Sequence, residues 1–216
     1  IRMYMQDEIN AVCGKLGLSK RAAIKRIAEE KLAEVGLTEL DRLLKSYAHE
    51  ISGGMAQRYK IAQALLGSPE ILIADEATSA LDVTVQAHIL KLLKQLSHKK
   101  GTAILFITHD LGIAAQICDR VAVMYAGRIV EIGNTGDIFQ KPLHPYTRGL
   151  LEAVPKLGCR EALRFVPGMI PDLVHPPQGC RFHPRCSHKM TPCEGQRPLN
   201  ITKDGHHAVA CHLYGD

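Results

Sequence analysis

Two apolar segments, each followed by polar side chains, constrain the fold of this chain more than any other feature. The first, Ile71–Glu76, ends in two adjacent carboxylates, and the second, Thr102–Thr108, is followed directly by His109. A helical pattern of apolar residues spans about 84–100 between them. This order predicts a parallel sheet with a crossover helix and strands buried on both faces. We therefore predict an α/β fold whose polar side chains meet at the carboxyl ends of the strands.

The regions around this unit differ in character. Residues 1–47 have helical spacing, with Ser19 as a candidate cap, and a second helix is predicted over about 54–66. Two apolar stretches joined by Ala-Gly predict a hairpin within 120–132. The predicted domains are a helical part at 1–67, half of an α/β core at 68–154 and a small cysteine-rich domain at 155–216.

Composition excludes several classes of protein. The 216 residues carry 27 Lys and Arg against 22 Asp and Glu, but the basic residues are scattered among acids, which argues against a nucleic-acid partner. No apolar run approaches the roughly 18 residues of a membrane helix. The seven cysteines form no evident disulfide framework, so a reducing compartment is favoured.

The acids and the histidine suit phosphate chemistry. Asp75 at a strand end can hold Mg²⁺, which prefers oxygen ligands, and Glu76 beside it can orient or deprotonate water. His109 follows the neighbouring strand and can reach the same water or a phosphate. Ser52-Gly53-Gly54 at a helix start offers a hydroxyl and free N–H groups to an anion. Each piece alone is more often a cap, a loop or a structural residue, whereas the combination indicates a nucleotide site.

These motifs together resemble the ATP-binding-cassette (ABC) transporter ATPases. Ile51–Arg58 is similar to their signature motif, Ile71–Glu76 to the Walker B strand, Ser79–Asp82 to the D-loop and His109 to the switch histidine. Two further segments are similar to the corresponding segments of one subfamily, which imports dipeptides, oligopeptides and nickel. They are Asp82–Ala87 and His144–Leu151.

The resemblance implies ATP and Mg²⁺ as ligands and a P-loop NTPase type of sheet with a helical subdomain. It implies Asp75 as the Mg²⁺ carboxylate, and Glu76 and His109 as catalytic residues. The residues implied to contact nucleotide are Ser52, Gly53, Gly54, Gln57 and Asp82. It also implies a head-to-tail dimer with a second ATPase subunit, two membrane permease subunits, an external substrate-binding protein and a position on the cytoplasmic face of the plasma membrane.

Some features depart from the family pattern. Ile51 stands where Leu is usual and Ala77 where Pro is usual. No Gly-x-x-x-x-Gly-Lys-Ser/Thr motif occurs, so the phosphate-binding P-loop is missing. We expect the sequence to be the carboxy-terminal part of a longer ATPase, and we expect the isolated chain to be inactive.

A cysteine cluster near the carboxyl end is the last candidate site. It consists of Cys180, Cys186, Cys193 and Cys211, with histidines among them. Thiolates suit zinc or an iron–sulfur cluster, but the spacing is not the Cys-x-x-Cys of ordinary zinc sites, so an unmetallated core and disulfides stay open. Gly179–Cys186 resembles the tail of peptide importer ATPases, some of which carry a four-iron cluster, which implies [4Fe-4S] first and zinc second.

Two alternatives to a transport ATPase are weighed. A DNA-repair type ABC ATPase shares the signature and Walker B motifs, but such proteins insert long heptad coiled coils, which this sequence lacks. A non-catalytic regulatory fragment held together by its metal site is the other. The motifs do not identify the transported cargo.

Overall fold

A computed structural model describes residues 4–79, 81–155, 165–203 and 205–215. The chain forms two compact units, an amino-terminal unit at Ile1–His109 and a carboxy-terminal unit at Asp110–Asp216. The predicted domain limits after 67 and 154 do not coincide with this division, so the three-domain description stays a prediction. In the described part of the chain, no helix combines the length and apolar character that crossing a membrane requires.

Helices fill the first half of the amino-terminal unit, as the sequence predicts. They are α1 (Met5–Lys15), α2 (Arg21–Glu34), α3 (Leu40–Leu44) and α4 (Gly53–Leu65). Their apolar faces are buried, for example through Ile9 of α1 and Leu32 of α2. The expectation that Ser19 caps α2 is wrong, because Lys20 occupies the N-cap position and makes no side-chain capping bond.

Strand β1 (Ile71–Asp75), helix α5 (Val83–Lys100) and strand β2 (Ala103–Ile107) follow. The strands pair in parallel with Asp75 opposite Ile107, which confirms the predicted strand, helix, strand unit. Gly101 ends α5 with φ +68°, a left-handed conformation that glycine adopts without steric cost.

Burial of this sheet on both faces was expected from its apolar sequence, and that expectation is wrong. Leu72 and Ala74 are buried, whereas Ile71 and Ile73 are 65% and 64% exposed. The exposed residues of β1 alternate with the buried ones because successive strand side chains point to opposite faces. Among the described residues, no layer covers the second face.

The carboxy-terminal unit is built on a four-stranded antiparallel sheet. Its helices are α6 (Leu111–Ile117), α7 (Thr135–Gln140), α8 (Pro145–Glu152) and α9 (Pro192–Gly195). Its strands are β3 (Arg120–Tyr125), β4 (Arg128–Asn134), β5 (Asn200–Lys203) and β6 (His207–Ala210), in the order β3-β4-β6-β5. The predicted hairpin is therefore confirmed as β3 and β4.

The cysteine-rich segment contributes to the same sheet. Strand β6 pairs with β4 through Glu131 opposite Val209 and Ile132 opposite Ala208. A separate cysteine-rich domain at 155–216 is not supported by this pairing, because backbone hydrogen bonds join part of the segment to the hairpin. Residues 156–164 of the predicted domain lie outside the described part of the chain.

Candidate functional site

The signature segment forms the amino-terminal end of α4. Ser52 is the N-cap residue, and its Oγ accepts a hydrogen bond from the Met55 N–H at 3.3 Å. Gly53 and Gly54 open the helix, where backbone N–H groups have no partner within the helix. A Cβ at Gly54 would lie 2.7 Å from Cγ1 of Val85, so glycine is required for this approach of α4 to α5. The arrangement can bind an anion.

The two acids lie at the carboxyl end of β1. Asp75 is the last residue of the strand and is exposed. Glu76 follows in a left-handed conformation, with φ +45°, that is strained for a residue other than glycine. Its N–H donates to the Ile107 carbonyl at 2.9 Å, which fixes the backbone of Glu76 against the end of β2.

The structure brings His109 and Glu76 together. His109 Nδ1 lies 3.0 Å from Glu76 Oε1, although the residues are 33 positions apart. The two side chains are 75% and 52% exposed, so both are accessible to water and to a ligand. A carboxylate held by an imidazole at an open sheet edge can orient and deprotonate a water molecule.

The other predicted contact residues occupy loop and helix positions. Asp82 is the N-cap residue of α5, and its Oδ1 accepts from the Val85 N–H at 3.0 Å. Ser79 Oγ donates to the Glu76 carbonyl at 3.0 Å, which ties the D-loop to the acid. Gln57 is half-buried in α4. Ala80 lies outside the described residues, and the functional roles of this whole set stay predictions.

A buried carboxylate network in the carboxy-terminal unit was not predicted. Glu131 in β4 is 1% exposed and accepts from the N–H groups of Leu143 and His144 at 2.7 and 2.9 Å. His207 Nε2 lies 2.7 Å from the same carboxylate. The available signal was an acid between Val130 and Ile132 in an apolar strand, which indicates a buried polar partner.

The His-Pro-Tyr segment anchors helix α8 to this network. His144 is the N-cap residue, and its Nδ1 accepts from the Tyr146 N–H at 3.0 Å, while Pro145 occupies the first turn. Burial lowers the pKa of His144 to about 4, so the imidazole is neutral near pH 7. Tyr146 packs edge-on against Tyr125 and lies 5.4 Å from the Phe182 ring.

The four predicted metal ligands lie near one another. The pKa of Cys211 is raised to about 11, chiefly by burial and to a smaller extent by the neighbouring Cys180, Cys186 and Cys193. The Cys180 N–H donates to the Cys193 carbonyl at 3.0 Å. Gly179 makes this approach possible, since a Cβ there would lie 2.5 Å from the Cys193 carbonyl oxygen and φ is +65°.

Proximity does not amount to a metal centre. Within the part of the chain that the structure describes, no group of three or more His, Cys, Asp or Glu side chains is arranged to hold a metal ion. All six cysteines in that part are free thiols. The prediction of an iron–sulfur or zinc site is therefore not supported by this geometry, because the thiols converge without forming a common ligand set.

Two known families match different parts of the chain. Residues 2–79 match the ABC transporter family, and residues 130–193 match the C-terminal region of oligopeptide/dipeptide transporters. The first match includes the signature segment with Asp75 and Glu76. The second includes the His-Pro-Tyr segment and three of the clustered cysteines.

Individual relatives agree with these families. The dipeptide transport ATP-binding protein DppD of Bacillus subtilis is 49% identical over 197 residues, covering 91% of this chain and 58% of that protein. The oligopeptide transport ATP-binding protein OppD of Salmonella typhimurium is 50% identical over 190 residues, covering 88% and 56%. The chain thus spans between half and two thirds of the length of these relatives.

Solved structures show the same fold. A bacterial ABC transporter cassette solved as a dimer superposes with a TM-score of 0.53 at 27% identity, covering 62% of this chain and 57% of the other. The cbiO1 protein of Clostridium perfringens, part of the cbiONQ transporter complex, gives 0.55 at 28% identity, with 65% and 55% covered. The motifs, the family matches and the fold agree in what the chain is similar to, the ABC transporter ATPases of the oligopeptide and dipeptide importer type.

Proposed function

We propose that this chain is part of an ATP-hydrolysing subunit that drives import of peptides across the cytoplasmic membrane. The contact of His109 with Glu76 at the carboxyl ends of β1 and β2 is the observation that carries the proposal. A carboxylate and an imidazole in contact at this edge support the proposal, because parallel sheets bind ligands at the carboxyl ends of their strands.

In this mechanism Glu76 takes the proton from the attacking water. His109 holds the carboxylate through Nδ1 and restricts its rotamers, so that one oxygen faces the water. Asp75 is the residue that would hold Mg²⁺, since an exposed carboxylate at a strand end suits a cation that prefers oxygen ligands. When bound, the ion neutralises charge that develops on the phosphate oxygens.

The signature residues act on a different nucleotide in the proposal. Ser52, Gly53 and Gly54 contact the γ-phosphate held by a second ATPase subunit through the N–H groups at the start of α4. Gln57 and Asp82 complete the contacts at this interface. The dimeric cassette among the similar structures supports a paired arrangement.

The remaining partners are proposed from the family resemblance. They are two permease subunits and an external substrate-binding protein, with the chain on the cytoplasmic face of the membrane. The names of the relatives, which describe dipeptide and oligopeptide transport, support a role in transport. Peptides are the proposed cargo, and nickel transport is not distinguished from it.

The test of the catalytic assignment is Glu76→Gln in the assembled transporter. General-base catalysis contributes about 10²–10⁴-fold, so kcat should fall by at least about 100-fold while ATP binding is retained. Glu70→Gln is the matched control, because Glu70 is exposed just before β1 and only its backbone carbonyl is engaged. A Glu76→Gln rate within a few fold of the parent would refute the assignment.

A second measurement concerns the chain alone. We propose that the isolated 216-residue chain does not hydrolyse ATP, since it contains no P-loop motif. The proposal would be contradicted if the isolated chain hydrolysed ATP and the Glu76→Gln substitution abolished that hydrolysis.

For the four cysteines, a [4Fe-4S] cluster, with zinc as second choice, remains a proposal. Their proximity supports a shared ligand, whereas the arrangement of the thiols argues against one. Iron and zinc analysis of anaerobically purified protein, with an absorption spectrum, decides the matter. Stoichiometric iron or zinc supports the proposal, and the absence of both refutes it.

A further inference from the structure

A cavity in the carboxy-terminal unit is lined by an unusual concentration of arginine. It has a volume of about 170 Å³ and lies among the start of β4, the turn at 179–181 and the approach to β5. Arg128, Arg181 and Arg197 all line it, and none of its lining residues is acidic. Three arginines therefore line one small space that has no carboxylate among its lining residues.

The positive charges are close enough to affect one another. Burial first, and then the neighbouring Arg181 and Arg197, lower the pKa of Arg128. A guanidinium remains charged in proteins even so. Three like charges around one cavity repel one another, and this repulsion would be relieved by a bound anion.

The hydrogen-bond donors around the cavity are only partly used. Arg128 Nη1 donates to the Gly179 carbonyl at 3.3 Å, and Arg181 Nη1 donates to the Ala126 carbonyl. Arg181 Nε is buried and has no hydrogen-bond partner among the described residues, but it is not accessible from the cavity. Arg197 is exposed and makes no hydrogen bond or ion pair with the described residues. Arg197 therefore has free donors for an acceptor bound in the cavity.

We propose that this cavity binds a small phosphate group, either inorganic phosphate or a short phosphomonoester. Guanidinium groups recognise phosphate oxygens through paired, charge-assisted hydrogen bonds, and a dianion compensates more of the three charges than a carboxylate does. Sites for drug-sized ligands occupy roughly 300–1,000 Å³, so the cavity is too small for a nucleotide. This is a site separate from the residues proposed to act on ATP.

Isothermal titration of the chain with inorganic phosphate at constant ionic strength tests the proposal. Arg197→Gln should weaken binding about tenfold or more, the effect of losing one charge-assisted contact. Arg197 is exposed, so this variant should fold as the parent does, which a thermal unfolding curve verifies. Arg120→Gln is the matched control, since Arg120 is exposed in the same unit and does not line the cavity.

The outcomes separate the possibilities. Phosphate bound at the start of α4 would be unaffected by Arg197→Gln, so a selective loss in this variant supports the cavity. Absence of phosphate binding, or equal affinity in Arg197→Gln and Arg120→Gln, overturns the proposal. Acetate that binds more tightly than phosphate also overturns it, because a monoanionic carboxylate would then be the preferred ligand.

Discussion

Replacement of Glu131 by Gln tests whether the buried carboxylate holds the carboxy-terminal unit together. Oε1 accepts from Leu143 N–H and faces His207 Nε2, both at 2.7 Å, and Oε2 accepts from His144 N–H at 2.9 Å. A Gln side chain keeps one acceptor oxygen and presents an NH₂ group in place of the other. At least one of the three neighbouring groups must therefore lose its partner.

The size of the effect follows from burial. Leaving a buried donor unsatisfied costs about 1–3 kcal/mol, and a hydrogen bond to a charged group contributes about 1.5–3 kcal/mol. Because Glu131 is 1% exposed, water cannot replace the lost acceptor. We expect a loss of at least about 2 kcal/mol, which corresponds to a fall in Tm of about 10 °C for a unit of this size.

Thermal unfolding measures the loss of stability of the whole unit, and amide hydrogen exchange measures the loss at individual residues. The Leu143 and His144 amides should exchange faster in the Glu131→Gln variant, because their acceptor is removed. Glu194→Gln is the control, since Glu194 is an exposed carboxylate that pairs with Lys189, and it should leave the transition unchanged. An unaltered Tm together with unaltered protection of the two amides in Glu131→Gln would refute the reasoning.

Three further predictions concern other buried contacts. The pKa of His144 is lowered from 6.5 to about 4, so its contribution to the free energy of unfolding is fully present above pH 6.5 and is lost as the pH falls toward 4. The parent should therefore lose about 3 kcal/mol of stability between pH 7 and pH 4 through this residue. The His144→Asn variant should not show this part of the loss when its unfolding is compared at the two pH values. Tyr59→Phe removes the buried hydroxyl that donates to the Met5 carbonyl at 2.5 Å, so urea unfolding should show a loss of about 1 kcal/mol, and an unchanged midpoint would contradict the contact. Gly179→Ala places a Cβ 2.5 Å from the Cys193 carbonyl oxygen at a residue with positive φ. In a denaturant titration this variant should lose about 2 kcal/mol or more of the stability of the carboxy-terminal unit. Wild-type stability would contradict this and show that the turn adapts.

Local patterns in the sequence predict the amino-terminal unit well. Apolar spacing identifies the helices, and continuous apolar runs identify β1 and β2. The meeting of Glu76 and His109 is also predictable, because neighbouring parallel strands end at the same edge and each residue directly follows a strand. The left-handed conformation of Glu76 has no such signal, since it depends on the turn that the backbone makes after Asp75.

The sequence by itself determined the helices of the amino-terminal unit, strands β1 to β4 and the family motifs, because each depends on residues that are close along the chain. The tertiary structure alone decided which contacts form between distant segments. Glu131 and His207 are 76 positions apart and meet because β6 pairs with β4, and the three arginines converge only once that sheet has formed. The four cysteines likewise come near one another only in the folded chain, and among the described residues they form no group arranged to hold a metal ion. Such outcomes depend on strand pairing and side-chain direction in three dimensions, which no local periodicity records.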